Sequence, residues 1–98
     1  MFARVATFEG VDPDRAAEEA QNIRRMTESG EVPEALQNVK GVQMLVDREN
    51  NQSLAIVLFD SEDDLRAGDD ALNNMNPEQG QGRRTSVQFY EVPLDLRR

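Results

Sequence analysis

The sequence predicts an α+β fold in which two helices cover one face of a four-stranded antiparallel sheet. Three observations carry that expectation. Strand-like and helix-like segments follow one another in the order β-α-β-β-α-β. Both helical segments begin with recognisable start signals. The third strand is apolar on both of its faces, which a sheet half in water does not allow.

Residues 2–9 are β-branched and aromatic and stop at Gly10. Alternation places Phe2, Arg4, Ala6 and Phe8 on one face and Ala3, Val5 and Thr7 on the other. Asp12-Pro13 then reads as an N-cap followed by proline at the first helical position. Ala16, Ala20, Ile23 and Thr27 recur at helical spacing, with Ala17 and Met26 beside them. Gly30 after Ser29 ends this helix, because glycine enters the left-handed conformation without a Cβ clash. Residues 33–38 read as a short helical turn.

Lys40-Gly41 leads into a second strand over residues 42–47, and a third follows at residues 53–59. The polar link between them, residues 48–52, makes the pair an antiparallel hairpin. Ser61 suits the N-cap of a second helix, with Asp64 three positions on and Glu62 and Asp63 near its positive end. Leu65, Leu72 and Met75 supply its apolar stripe, with Gly68 and Ala71 as small contacts. A loop over residues 76–82 precedes the last strand, residues 84–92, which Pro93 ends. One domain over residues 1–92 and a charged C-terminal tail, 93–98, are expected. The order is that of the ferredoxin-like split βαβ arrangement.

The third strand sets Leu54, Ile56 and Leu58 against one side and Ala55, Val57 and Phe59 against the other. Strand two adds Val42, Met44 and Val46 on one face and Leu45 on the other. Two helices cover a single face, and no further helix is available. A second copy of the chain is therefore the expected cover, making a homodimer through the sheet.

Composition narrows the chemistry. Nineteen acidic against eleven basic residues leave a net charge of −8, which argues against nucleic acid and anionic membranes as partners. With no cysteine and no histidine, disulfides, thiol nucleophiles, zinc sites of the usual kind and imidazole ligation of haem are excluded. The start of the chain lacks a long apolar run, and no run approaches the ~18 apolar residues of a membrane span. A cytoplasmic location is expected, so the sequon spelled by Asn51-Gln52-Ser53 is taken as chance.

The chain resembles the antibiotic-biosynthesis-monooxygenase-like family of the dimeric α+β barrel superfamily. The residues that carry the likeness are Ala3-Arg4-Val5-Ala6-Thr7-Phe8-Glu9, then Lys40-Gly41-Val42 before Leu45-Val46-Asp47-Arg48-Glu49. Leu58-Phe59-Asp60-Ser61-Glu62-Asp63-Asp64-Leu65-Arg66-Ala67 and the closing Tyr90-Glu91-Val92 complete it, over residues 1–92. The resemblance implies two βαββαβ protomers packed sheet to sheet, each with a pocket between helices and sheet. It further implies relatives that include cofactor-independent oxygenases of aromatic polyketides and haem-degrading enzymes. The haem-degrading branch carries an Asn on the first strand and a Trp and a His on the second helix. Here Arg4 stands for that Asn and Gly68 for the Trp, and no His exists, so that mechanism is not expected. Quinone-forming members with Trp or His in the pocket are also poorly matched.

Four residues are candidates for a ligand site: Arg4, Met44, Phe59 and Tyr90. Arg4, mid-strand among apolar neighbours, either anchors an anion or phenolate through its guanidinium fork or forms a structural ion pair. Tyr90, the sole tyrosine, either supplies a phenol for proton transfer or is a half-buried strand aromatic with a backbone partner. Met44, Phe59 and Met75 either line an apolar cavity or pack the core. The carboxylates Asp60, Glu62, Asp63, Asp64, Asp69 and Asp70 are explained by capping and solvation, and no metal site is expected. Residues 47–52 lack the glycine and the final Glu of a calcium loop. Gly80-Gln81-Gly82 precedes a strand rather than a helix, so it is no dinucleotide fingerprint. Arg83 and Arg84 either bind an anion or are simply solvated. Lys40, the only lysine, is expected to be exposed.

No cofactor and no catalytic residue is assigned. Two readings follow: a non-catalytic or small-hydrophobic-ligand-binding module, or a cofactor-independent monooxygenase of an aromatic, polyketide- or quinol-like substrate. A cavity of about 300 Å³ or more holding Arg4 or Tyr90 favours a ligand site, and a packed interior favours a structural role.

Overall fold

The computed structural model describes residues 1–10, 12–30, 36–74 and 83–96. The chain order is β1 (Phe2–Glu9), α1 (Pro13–Ser29), β2 (Val39–Asp47), β3 (Gln52–Phe59), α2 (Glu62–Asn74) and β4 (Arg83–Glu91). The strands form one antiparallel sheet in the order β2-β3-β1-β4. This is the ferredoxin-like α+β fold that the alternation of patterns predicts. No helix among the described residues is long and apolar enough to cross a membrane.

Local signals place each element. The Asp12 side chain accepts from the Asp14 amide and Pro13 opens α1, while Gly30 ends it at φ 78°. The Ser61 hydroxyl accepts from the Asp64 amide at 3.1 Å, which caps α2. In the β2–β3 turn, Asp47 Oδ1 accepts from the amides of Glu49 and Asn50, and Asn51 takes a left-handed φ of 54°. Asn tolerates that conformation because its short side chain bonds locally.

Four strand boundaries differ from expectation, one of them the end of β4, at Glu91 rather than at residue 92. β2 begins at Val39, three residues early, because a register shift between Val39 and Gly41 interrupts the alternation there. β3 and β4 each begin one residue earlier than expected. Of the helical turn expected over 33–38, residues 36–38 form a turn and the remainder lies outside the described residues. Met75, the 76–82 loop and its Gly80-Gln81-Gly82 also lie outside them.

Register sorts the sheet into two faces, because directly opposed residues point the same way. Phe2, Arg4, Ala6 and Phe8 of β1 oppose Phe59, Val57, Ala55 and Ser53 of β3. Val39, Val42, Met44 and Val46 of β2 join this face, as do Glu91, Phe89 and Val87 of β4. α2 packs over β1 and β3, and α1 reaches β2. Val57, Phe59 and Leu65 form the core between sheet and helix, with Phe2, Val39 and Leu72 against it. Among the described residues no helix packs over the opposite face, although Ala3 and Leu58 on it are buried and Val5, Leu54 and Ile56 are half-buried. That face carries Ala3, Val5 and Thr7, then Leu54, Ile56 and Leu58, then Gln43 and Leu45, then Ser86, Gln88 and Tyr90.

The β2–β3 turn has a measurable signature in acid. Hydrogen bonds, foremost from the Asn50 side chain, hold the Asp47 carboxyl below the ordinary aspartate range. A depressed carboxyl stabilises the fold above its unfolded pKa, and that contribution disappears as pH falls through the folded value. A titration followed by the Asp47 carboxyl carbon should therefore place its midpoint below that of the unfolded chain. Asn50→Ala should raise the midpoint.

Candidate functional site

Arg4 sits at the centre of the described polar chemistry. Its side chain is only 4% exposed, and its Nε donates to Asp69 Oδ1 at 2.8 Å. Its Nη2 donates to Asn73 Oδ1 at 3.2 Å, and Asn73 Nδ2 donates to Asp69 Oδ2 at 3.2 Å. Arg84 completes the cluster, its Nη1 donating to the same Asn73 oxygen at 2.7 Å. Two guanidiniums, one carboxylate and one amide thus join β1, the second half of α2 and the start of β4. A guanidinium buried without a counter-charge would be very costly, and Asp69 supplies the charge while Asn73 fixes the fork's orientation. The fork is directed into protein rather than into open space.

Asp69 and Asn73 did not stand out in the sequence because they lie within a run of carboxylates. A signal for them exists nonetheless. Leu65, Asp69 and Asn73 recur every four residues, which stacks them on one helix face above the buried Leu65. A polar pair continuing the apolar column is the mark of a polar partner beneath it.

The other carboxylates of that run are dispersed. Glu62 pairs with Arg66 at 2.7 Å, Asp60 with Lys40 at 3.4 Å, and Asp64 accepts from Asn38 Nδ2 at 3.1 Å. Lys40 is half-exposed. Among the described residues no group of three carboxylates converges to hold a metal ion. Arg83 pairs with Glu9 at 3.5 Å on the surface.

Phe59 is fully buried and lies directly beneath Gly68 of α2. A Cβ built at Gly68 would stand 2.4 Å from Phe59 Cζ and 2.6 Å from Cε1. Such separations do not occur, so the absence of a side chain at residue 68 is what lets helix and ring meet. Met44 lies on the same face, half-buried, opposite Ala55.

Tyr90 is elsewhere. It opposes Ala3 in register, whereas Arg4 opposes Phe89, so the phenol and the guanidinium lie on opposite faces of the sheet. Tyr90 is 48% exposed, and its hydroxyl donates to the Gln88 side chain rather than to backbone. Of the four candidates, three share the helix face; Tyr90 belongs to the opposite face by register, and near the end of the edge strand β4 it also lines a cleft beside α2. A described cleft of about 210 Å³ lies between the first turn of α2 and the end of β4, lined by Phe2, Glu62, Leu65, Phe89, Tyr90 and Glu91. The Arg4 guanidinium does not line it.

No protein-family profile matches the chain, and no curated protein matches it in sequence. Among solved structures, the chain is similar to a crystal structure of a point mutant of MhuD with two manganese protoporphyrin IX molecules bound per active site. The TM-score is 0.57 at 15% identity, over 98% of each chain. The likeness extends over the whole chain and establishes a shared ferredoxin-like α+β fold.

Proposed function

We propose that this chain is a homodimeric, non-catalytic module of the antibiotic-biosynthesis-monooxygenase-like kind, two copies closing a barrel through the uncovered faces of their sheets. The observation that carries this reading is the apolar row on that face. Val5, Leu54 and Ile56 stand side by side at its centre, with Leu45 46% exposed at its edge. Patches of this kind mark association surfaces.

The helix side supports the non-catalytic part. An enzyme needs a polar group free to meet a substrate and space beside it. Arg4 is engaged by Asp69 and Asn73, Phe59 fills the volume beneath Gly68, and the Tyr90 hydroxyl is engaged by the Gln88 side chain. The porphyrin of the similar structure does not fit this residue set. The chain offers no imidazole or thiolate for the metal, and its one phenol is on the opposite face from Arg4. The competing reading, a cofactor-independent monooxygenase of an aromatic substrate, would have to use these engaged residues or the lone carboxylate of Glu91 in the small cleft beside β4.

Sedimentation equilibrium tests the pairing. The full chain at micromolar concentration should have twice the mass of one chain, and Ile56→Asp should be folded by circular dichroism yet monomeric. A single-chain mass for the parent contradicts the proposal. Oxygen uptake with anthrone- or quinol-like substrates tests the catalytic alternative: uptake equal to substrate autoxidation is expected, and protein-dependent uptake would overturn the non-catalytic reading.

A further inference from the structure

At the opposite end of α2 from the Arg4 cluster lies the cleft of about 210 Å³ between that helix and the end of β4. Its floor is Leu65, which is buried, and Phe2, which is half-buried. Phe89, 51% exposed, forms a wall. Phe89 and Glu91 lie on the helix side of β4, and Glu91 stands directly opposite Phe2. The rim carries two carboxylates of different status. Glu62 is paired with Arg66 at 2.7 Å, whereas the exposed Glu91 carboxylate has no hydrogen bond or ion pair among the described residues. Two phenyl rings and a leucine thus share a small cleft with one uncompensated negative charge.

We propose that this cleft binds an organic cation carrying a short apolar stem, an alkylguanidinium or alkylammonium group. An anion would be repelled by Glu91. A neutral apolar molecule would fill the floor but draw water from the carboxylate without replacing it. A cation with a stem satisfies both parts, since the stem covers Leu65 and Phe2 while the charge meets Glu91 and the negative face of Phe89. The size points the same way. The cleft is below the range of about 300–1,000 Å³ that holds drug-sized ligands, and suits a group the size of one arginine or lysine side chain. Of the cleft's lining only Tyr90 belongs to the sheet face proposed for pairing, and the groups invoked here, Phe2, Leu65, Phe89 and Glu91, do not; the proposal goes beyond the dimer reading, and either can fail without the other.

The test is a titration of the full-length, nitrogen-15-labelled chain with n-butylguanidinium, with neutral n-butanol, and with a capped tripeptide bearing one arginine. The guanidinium should shift the amides of Phe2, Leu65, Phe89 and Glu91 saturably, and bind about tenfold tighter than n-butanol, the size of difference one charge-assisted contact provides. Glu91→Gln should remove most of that difference, and Phe89→Ala should weaken binding while leaving the spectrum folded. Tighter binding of the tripeptide identifies a side chain of another polypeptide as the source of the cation; tighter binding of the free guanidinium identifies a small molecule. The proposal is overturned if n-butanol binds equally, if Glu91→Gln binds as the parent does, or if the shifts spread along Asp63, Asp64 and Asp70 as for a diffuse counter-ion.

Discussion

Phe59→Ala should lower the stability of the fold by about 3–5 kcal/mol, the range for removing a buried aromatic ring. Phe59 is the largest fully buried side chain among the described residues, and it joins β3 to Leu65 and Leu72 of α2. For a domain of this size each kcal/mol moves the melting temperature by about 4–8 °C, so thermal unfolding by circular dichroism reads the effect easily. Gly68 sharpens the prediction. Gly68→Ala would gain about 1 kcal/mol of helix propensity but drive its Cβ into the ring, and overpacking costs up to about 3 kcal/mol. A net loss of about 2 kcal/mol is expected. Phe59→Leu should relieve it, so that the double variant is more stable than the sum of the single effects allows. A Gly68→Ala protein as stable as the parent would show that the helix does not rest on the ring.

Arg4→Met should cost about 3 kcal/mol, at the low end of the range for breaking a buried ion pair. The low end applies because Asp69 keeps 19% exposure and its bond from Asn73. Removing both charges, Arg4→Met with Asp69→Leu, should restore much of the loss, because the penalty comes from the charge left unpaired. Urea unfolding of the three variants checks this. If Arg4→Met is neutral, Arg4 is not structurally engaged and its guanidinium becomes available for a ligand once more.

The fold was largely legible because its elements carry their own punctuation. Asp12-Pro13, Gly30 and Ser61 mark helix ends through backbone chemistry that needs no tertiary information. The face assignment of β3 was equally legible, since alternation alone separates Leu54, Ile56 and Leu58 from Ala55, Val57 and Phe59. The start of β2 was not, because the irregularity at Lys40 breaks the period on which strand reading depends. The site was legible only in part. Arg4 announced itself as a charge on an apolar strand, but nineteen acidic residues compete to be its partner, and only the packing of α2 selects Asp69. Whether Tyr90 and Arg4 share a face depends on the β1–β4 register, and a shift between Thr7 and Phe8 makes even that register irregular. The Phe59–Gly68 contact was visible only as a small residue on an apolar stripe, without its neighbour.

The proposed pairing through the sheet is tested most directly by an isotope-filtered nuclear Overhauser experiment on a mixture of labelled and unlabelled chains. Pairing through the sheet requires intermolecular contacts from the methyl groups of Val5, Leu54 and Ile56. Contacts confined to α1 or to Phe89, or none at all from those methyls, would mean that the sheet face is not where two copies meet.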